Sequence, residues 1–416
     1  MYAQRMRRVC APQNDHVPSE DILHLVNLSR SGQPLMPGLQ HLGWTTSRAF
    51  LPWLHLLLSP ALSDIHIDLN GGRTTPVNAA VIKALPTTHL KHIAFSTLHT
   101  NTEVDTALLD LFLKATQLAS IYVQQEAKSD ETSPPGGEVE GEREPIELGG
   151  LTSIIIRFKD ESIFLPNLFN RTTLPKIQQI YLNHLGKTEW LGADDLFDSV
   201  LQSASPSVLR ALRYASHYHG MDITSARIQP LRNFIALRTI RVTSSCSMNR
   251  CKFLLADDDI SAIASAMPNL VELHLGGTPC ASTLVIVSMN SLVTLATNCT
   301  KLTDLQIHFD TADFINRAFD VTGEHIVPLQ STPSSCQLTE LNVGRIPVSR
   351  GMDGCWAVGM ALVQIFPKLK NIKYYQQLFG AYDWGEVMRV IKVQRNIGNL
   401  MSSTSVECPF VHVSNS

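Results

Sequence analysis

Two cysteines and two histidines have the residue types of a zinc site. Cys246 and Cys251 are separated by four residues, and His217 and His219 precede them along the chain. Thiolates and imidazoles are ligands that zinc prefers, but a spacing of four residues is at the edge of the known cysteine patterns. The alternative is an irregular loop after the strand that begins at Leu237. We favour the loop and expect no metal site.

Acidic residues raise two further possibilities. Asp64 and Asp68 flank His66 on one face of a predicted strand, an arrangement that could perform acid–base chemistry if a pocket surrounded it. Asp257, Asp258 and Asp259 precede an apolar helix and could hold a cation. Carboxylates also stabilise the N-terminus of a helix, so we interpret this run as a helix start.

The sequence motifs of several enzyme classes are absent. There is no Gly-x-x-x-x-Gly-Lys-Ser/Thr phosphate loop, no His-Glu-x-x-His pair and no Gly-x-Ser-x-Gly turn. We therefore expect a non-enzymatic protein without catalytic residues and without a cofactor.

An internal repeat predicts the strands and helices that would position any site. An apolar residue is followed by two variable residues, a second apolar residue, one variable residue and a third apolar residue. Successive copies start between 23 residues (Leu39 to Leu62) and 36 residues (Leu302 to Leu338) apart. The twelve copies start at Leu39, Leu62, Leu90, Leu118, Leu151, Ile177, Leu209, Leu237, Leu270, Leu302, Leu338 and Leu369.

Each copy has the alternation of a half-buried strand, and the segments between copies have a helical period. Helices are predicted over Asp258 to Met267, Thr283 to Thr297 and Trp356 to Phe366. One strand and one helix cannot bury their own apolar face, so neighbouring repeats must stack. Strands pack more closely than helices, which bends the stack with the strands inside. We predict an α/β leucine-rich-repeat solenoid, or horseshoe, of about twelve irregular repeats with a parallel concave sheet.

The alternative fold is an ordinary α/β sheet, which would have fewer strands, longer apolar runs and a glycine-rich phosphate turn. The Asn or Cys that usually follows the third apolar position of a leucine-rich repeat is mostly missing, which indicates an imperfect solenoid. We place an N-terminal cap helix region at 1–38, the solenoid at 39–380, and a C-terminal cap helix with a loose tail at 381–416. Short amphipathic segments at Ser19 to Arg30 and Ala381 to Leu400 suggest the cap helices.

An acidic segment interrupts the repeats. Residues 124–148 carry eight acids and two bases, are rich in Pro and Gly and have no apolar period. Such a segment cannot bury enough surface to offset its ordering entropy. We predict a disordered insertion at 125–148. The alternative is an acidic interaction or modification site.

Composition excludes several functional classes. The chain has a formal net charge of −3, and 44% of its residues are hydrophobic. It is too apolar for a disordered protein, and no global field attracts nucleic acid or an anionic membrane. No apolar stretch approaches the ~18 residues of a membrane span, and the N-terminus lacks a secretory apolar core. Eight dispersed cysteines favour reduced thiols. We expect a cytoplasmic or nuclear protein that is monomeric outside complexes.

The variable strand positions carry the functional prediction. In a horseshoe the fifth positions of successive copies line up across the concave face, beside the seventh positions. In the middle of the array these positions are rich in Tyr, Arg and His, and Tyr and Arg often anchor protein interfaces. The alternative is an ordinary solvated strand face. The predicted partner-binding residues are Tyr122, Arg157, Tyr181, Arg213, Arg241, His274 and His308.

Several segments resemble a known family. The run from Leu292 through Cys299 to Leu305 resembles the cysteine-containing leucine-rich repeat of F-box proteins. Four further segments are similar to segments of the basidiomycete F-box-like proteins with degenerate repeats. They are Tyr2 to Arg7, Met36 to Trp44, Leu338 to Val343 and Ile365 to Ile372.

Members of that family usually begin with an F-box, a helical segment that docks onto the adaptor of an SCF ubiquitin ligase. We find no F-box in this chain, and the resemblance implies that the chain begins just after one. The resemblance implies a substrate-recognition part, with an SCF adaptor as partner only if an F-box is supplied upstream. The alternative is a scaffold or regulatory protein without ligase docking.

Overall fold

The structure is a computed structural model of the chain. It divides into two compact units, the first made of residues 1–254 and 274–283 and the second of residues 255–273 and 284–416. The residues that it describes are 6–10, 34–45, 54, 56–69, 75–99, 101–126, 145–159, 164–186, 193–216, 222–244, 253–276, 287–312, 335–344, 346, 348, 352–374 and 384–403.

All twelve predicted copies of the repeat form strands. Each strand begins two residues after the first apolar residue of its copy, as β3 (Asp64–Asp68) follows Leu62. That first residue is at most 2% exposed in every copy. Complete burial of a leucine side chain contributes about 1.5–3 kcal/mol. The repeat is therefore anchored by a leucine that lies just outside the strand itself.

In the first unit, nine strands form a parallel sheet in the order of the sequence. This strictly sequential order confirms a stacked-repeat α/β fold over the alternative sheet, because a doubly wound sheet reverses its strand order. Besides β3, the strands are β1 (Arg8–Cys10), β2 (His41–Thr45), β4 (His92–His99), β5 (Ser120–Glu126), β7 (Ser153–Phe158), β9 (Gln179–His184), β10 (Ala211–Ser216) and β12 (Thr239–Ser244).

Helices connect these strands, and short strand pairs accompany them. The helices are α1 (Thr75–Ala84), α2 (Thr102–Lys114), α3 (Phe164–Asn170), α4 (Ala193–Ser203) and α5 (Ser225–Ile228), followed by a 3-10 turn at Gln229–Asn233. Two small parallel pairs lie outside the main sheet: β6 (Ile146–Glu147) with β8 (Thr172–Thr173), and β11 (Ile223–Thr224) with β13 (Phe253–Leu254).

The second unit repeats the same plan. Strands β15 (Asp304–Gln306), β16 (Glu340–Gly344) and β17 (Asn371–Tyr374) are parallel and adjacent in sequence order. Strand β14 (Glu272–Leu275) is divided, with 272–273 in the second unit and 274–275 in the first. The helices are α6 (Asp257–Ala266), α7 (Met289–Asn298), α8 (Met352–Ile365) and α9 (Trp384–Ser403).

Backbone hydrogen bonds fix the register between repeats. The amides of the second and third residues of one copy both donate to one carbonyl of the preceding copy. Lys91 and His92, for example, donate to the Ser63 carbonyl at 2.8 and 3.0 Å. Carbonyls that receive such a pair belong to Arg7, Gln40, Ser63, Lys91, Ala119, Thr152, Gln178 and Arg210 in the first unit, and to Val271, Thr303 and Thr339 in the second.

Side chains reinforce these backbone bonds, although the Asn or Cys that usually follows the third apolar position is mostly missing. Hydroxyl groups at the second repeat position donate to the same carbonyls at 3.0–3.2 Å, from Ser63, Thr152, Thr303 and Thr339. In the second unit the Cys299 thiol lies 3.6 Å from the Met267 carbonyl oxygen, and the Cys336 thiol lies 3.7 Å from the carbonyls of Cys299 and Leu302. The sequence prediction of an imperfect solenoid did not include these ladders.

Several predicted boundaries need correction. The disordered insertion predicted over 125–148 was too wide at both ends, because β5 continues to Glu126, and the Leu148 amide donates to the Thr173 carbonyl at 3.0 Å. Of the predicted insertion, residues 127–144 lie outside the described part of the chain. The region predicted as an N-terminal cap helix at 1–38 contains strand β1, which pairs with β2. Its predicted helix at 19–30 lies outside the described residues.

The helix predicted from Thr283 begins instead at Met289. The Ser288 hydroxyl accepts a hydrogen bond from the Asn290 amide at 3.1 Å and so caps the helix there. Helix α9 falls within the predicted C-terminal cap, and the tail from 404 lies outside the described residues. None of the described helices has the length and apolar character that a membrane span requires.

Candidate functional site

The strand register places the predicted binding positions in rows. In the first unit, Tyr122 lies opposite Ile155, Ile155 opposite Tyr181, Tyr181 opposite Arg213, and Arg213 opposite Arg241. All of these side chains are partly exposed, whereas the alternating residues are buried. The prediction that fifth positions line up is therefore confirmed from β2 to β12. In the second unit, Gln306, Asn342 and Lys373 form the corresponding row.

Arg213 and Tyr181 form the central contact of this row. The guanidinium carbon of Arg213 lies 4.6 Å from the centroid of the Tyr181 ring. This is a cation–π distance, at which the ring face attracts the positive charge. Because the two residues are also register partners on adjacent strands, the strands themselves hold the guanidinium over the ring.

The Tyr122 end of the row is joined to a polar chain of contacts. The Tyr122 hydroxyl donates to Gln124 Oε1 at 3.1 Å, and Gln124 Nε2 donates to Glu126 Oε1 at 3.4 Å. Lys159 forms an ion pair with the same Glu126 carboxylate. Arg157 lies opposite Gln124 and is exposed. Tyr122 and Arg157 therefore lie on one face, with one neutralised acid beside them.

The exposed positions of β7, β9, β10 and β12 define a surface that we call the arginine face. It contains three arginines and one tyrosine, and none of its own positions is a carboxylate. Its twelve positions are Ser153, Ile155, Arg157, Gln179, Tyr181, Asn183, Ala211, Arg213, Ala215, Thr239, Arg241 and Thr243.

Two residues of the predicted stripe have little exposed surface. His274 is 8% exposed and His308 is 6% exposed. His274 lies on β14, and His308 follows β15 in the second unit. Sequence periodicity identified their positions but not their burial, which depends on neighbouring side chains. We leave both histidines out of the candidate surface, which keeps Tyr122, Arg157, Tyr181, Arg213 and Arg241.

The acid–base trio on β3 belongs to a hydrogen-bonded row on the exposed side of the sheet. His41 Nδ1 lies 3.0 Å from Asp64 Oδ2, and His92 Nε2 lies 3.9 Å from Asp64 Oδ1. His66 Nε2 lies 3.3 Å from the Ser96 hydroxyl oxygen, and Asp68 accepts from Thr97. Sequence analysis missed His41 and His92 because they belong to neighbouring repeats. The half-exposed side chains fit a polar surface row.

The acidic run at the start of α6 caps that helix, as predicted. Asp259 Oδ2 accepts a hydrogen bond from the Ala256 amide at 3.0 Å. Asp257 has a further role that the sequence did not indicate, because it accepts from the Ser288 amide at 2.7 Å and from the Ser291 hydroxyl at 2.5 Å. It thus joins the starts of α6 and α7. The other candidate ligands, His217, His219, Cys246 and Cys251, lie outside the described residues.

Two thiols of the second unit have perturbed acidity. Burial raises the pKa of Cys299 to about 12, and the neighbouring Cys336 adds to the rise. Burial likewise raises the pKa of Cys336. Since the thiolate is the nucleophile and the metal ligand, these groups are poor candidates for either chemistry. Their role is structural, in the carbonyl contacts given above.

Comparison with known proteins provides no family assignment for this chain. No protein-family model matches the chain, and no curated protein matches it. Among solved structures it is similar to a chain in the crystal structure of the Rad7 and Elc1 complex from yeast, with a TM-score of 0.38 and 14% sequence identity over 74% of this chain and 70% of that chain. At this level of likeness, the fold assignment rests on the strand order and register of the present chain.

Proposed function

We propose that the chain is a non-enzymatic protein-binding module that uses the exposed sheet face of its first unit. The observation that carries this proposal is the row of Tyr181, Arg213 and Arg241 on adjacent strands, flanked by Tyr122 and Arg157. Tyr and Arg supply a large contact area together with directional hydrogen bonds, and both are enriched at the energetic centres of protein interfaces.

The geometry of the face favours a macromolecular partner over a small molecule. The five side chains extend over five parallel strands, from β5 to β12. At about 4.8 Å per strand, the row is about 19 Å wide, which is more than a small ligand covers. A protein surface or an extended peptide can contact all of it at once.

The test is a triple substitution, Tyr181→Ala with Arg213→Ala and Arg241→Ala. Tagged wild-type and variant chains are used for affinity purification with quantitative mass spectrometry, after circular dichroism has established that both are folded. We expect specific partners of the wild type to be depleted from the variant. Unchanged recovery of every specific partner would contradict the proposal.

A matched control changes three exposed helix residues of the same unit. Lys83, Asp110 and Lys114 form exposed ion pairs, which contribute little to stability. Lys83→Ala with Asp110→Ala and Lys114→Ala should leave partner recovery unchanged. A loss in this control would mean that recovery reports general surface change.

The family resemblance supports a narrower proposal, that the module is the substrate-recognition part of an SCF-type ubiquitin ligase in the cytoplasm or nucleus. An F-box encoded upstream and in frame, together with co-purification of an SCF adaptor, would support it. If the full-length protein does not bring down the adaptor, the alternative holds, namely a scaffold or regulatory protein without ligase docking.

A further inference from the structure

The first strand position of three neighbouring repeats places an Asp between two histidines. The register sets His41 of β2 opposite Asp64 of β3, and Asp64 opposite His92 of β4. Both imidazoles are about half exposed, and the carboxylate is partly exposed. Three adjacent strands, outside the arginine face, therefore present two imidazoles and one carboxylate side by side on the exposed side of the sheet.

Each imidazole faces a different oxygen of the same carboxylate. His41 Nδ1 lies 3.0 Å from Asp64 Oδ2, and His92 Nε2 lies 3.9 Å from Asp64 Oδ1. Ligand atoms held by one tetrahedral zinc ion at about 2.0–2.1 Å are about 3.3–3.4 Å from one another, which is between these two distances. From this arrangement we infer that His41, Asp64 and His92 bind a zinc ion. This site is additional to the proposed protein-binding function and does not depend on it.

The separation of the two histidines suits ligands that approach one ion from opposite sides. Their strands are two apart in the sheet, so the two backbones are separated by about 9.6 Å, with the Asp64 strand midway between them. Because both rings are half-exposed, rotation about their side-chain bonds can bring one nitrogen of each onto an ion above the Asp64 carboxylate. The ion then closes a site that the strands have already aligned.

Neighbouring hydroxyl groups orient these ligands. His92 Nδ1 lies 2.7 Å from the hydroxyl oxygen of Ser120, its register partner on β5. The Ser63 hydroxyl donates to Asp64 Oδ2 at 2.5 Å. A histidine that binds a metal through one ring nitrogen usually donates a hydrogen bond from the other, which fixes its tautomer and its orientation. When His92 Nδ1 donates to Ser120, the lone pair of Nε2 faces the Asp64 carboxylate, and a cation between them is attracted to both.

The donor set selects zinc over the hard cations. Imidazole is a good ligand for zinc and for other late transition ions, whereas calcium and magnesium prefer sites made of oxygen atoms. Two imidazole nitrogens and one carboxylate oxygen supply three ligands. The fourth position of a tetrahedral ion is then open to water, as in zinc sites with three protein ligands.

Two exposed cations adjoin the three ligands. Arg8 is the register partner of His41 on β1, on the side away from Asp64, and Lys91 directly precedes His92. Their charges oppose a bound cation, although solvent and salt screen exposed charges. They therefore lower the affinity of the site and do not supply it. Arg8→Gln should retain zinc binding or strengthen it, whereas a site for an anion would be weakened by the same change.

The experiment titrates the full chain with zinc in a calorimeter at about pH 7.5, so that imidazole groups are available as neutral ligands. Other histidines and the cysteines of the chain can also bind zinc, so the measured quantity is the difference between the wild type and a variant. His41→Gln with His92→Gln should lose one equivalent of bound zinc. Asp64→Asn should weaken the same site by at least about tenfold. Calcium and magnesium should give no difference between the wild type and these variants.

A matched control removes two imidazoles elsewhere in the same unit. His66→Gln with His89→Gln changes two exposed histidines and should retain the zinc equivalent. Ser120 is a positioning residue, so Ser120→Ala should weaken zinc binding about tenfold, whereas Ser120→Thr keeps the hydroxyl and should bind like the wild type. Circular dichroism establishes that every variant is folded, which the exposure of the substituted histidines favours.

Specific outcomes overturn the inference. Equal amounts of bound zinc in the wild type and in His41→Gln with His92→Gln would mean that any zinc binds elsewhere in the chain. An equal loss of zinc in the control with His66→Gln and His89→Gln, or a loss in Arg8→Gln, would also contradict the site. Partner recovery with the triple alanine variant involves none of these residues, so failure of the zinc site leaves the proposed function standing.

Discussion

The guanidinium of Arg213 lies over the aromatic ring of Tyr181, its partner in the register of the adjacent strand. The contact joins two side chains that are 32 residues apart in sequence (213 − 181). We expect it to stabilise the fold as well as to orient the arginine. A double-mutant cycle with Tyr181→Leu and Arg213→Gln should give a coupling energy of about 0.5–1 kcal/mol by urea unfolding.

The control cycle pairs Tyr122→Leu with Arg213→Gln. These residues are separated by β7 and β9, so their effects should add to within about 0.5 kcal/mol. Tyr181→Phe retains the ring and should keep most of the coupling. A coupling energy in the Tyr181 cycle no larger than in the control would show that the contact does not contribute.

The buried thiols should be chemically protected. Because the pKa of Cys299 is raised to about 12 and that of Cys336 is also raised, neither forms appreciable thiolate at neutral pH. Iodoacetamide should modify the exposed Cys10 rapidly in the native protein and leave Cys299 and Cys336 unmodified, as read by peptide mass spectrometry. All three should react in denaturant. Native-state labelling of Cys299 at the rate of Cys10 would contradict the burial described here.

The same thiols should make stability depend on alkaline pH. An unfolded cysteine ionises near pH 9, whereas folded Cys299 keeps its proton to about pH 12. The unfolded state therefore binds fewer protons in this range, and stability falls as pH rises through it. Between pH 8 and pH 10 the urea midpoint of the wild type should fall more than that of Cys299→Ala with Cys336→Ala. Parallel declines would show that these thiols contribute nothing to the pH dependence.

Asp257 should be more sensitive to substitution than its exposed neighbour Asp258. Asp257→Asn removes a charged acceptor from the Ser288 amide and the Ser291 hydroxyl, and we expect a loss of about 1.5–3 kcal/mol in unfolding free energy. Asp258→Asn, at an exposed neighbouring position, is the matched control and should change stability by no more than about 0.5 kcal/mol. Equal effects of the two substitutions would contradict a specific role for Asp257.

Much of the fold could be predicted because the repeat consists of apolar side chains that must be buried. Leucines such as Leu62 and Leu302 recur in front of an alternating strand, and that alternation fixes which side chains face the core. The register followed from the same pattern, which is why Tyr181, Arg213 and Arg241 were correctly placed in one row. These are local regularities, so a single sequence is enough to reveal them.

Contacts between repeats were harder to predict. The Asp64 carboxylate and the imidazoles of His41 and His92 lie on different strands, and only the register brings them together. The burial of His274 and His308 could not be predicted from alternation either, because all four residues of β14 are buried and His308 lies beyond the end of β15. The start of α7 was predicted too early because the helical spacing of apolar residues continues upstream of Ser288. In the structure the Ser288 hydroxyl caps the helix, which therefore begins at Met289. The hydroxyl ladder had a visible signal, the Ser or Thr directly after the first leucine, as at Thr303.

The paired amides that share one carbonyl between successive repeats have a consequence for how this chain can change over time. They involve only main-chain atoms, which every residue except proline provides. Alignment of the strands therefore survives whichever side chains stand on the exposed face, and it tolerates the unequal lengths of the connecting segments. Lineages could exchange one exposed residue at a time, and so change the chemistry of that face, without rebuilding the scaffold beneath it.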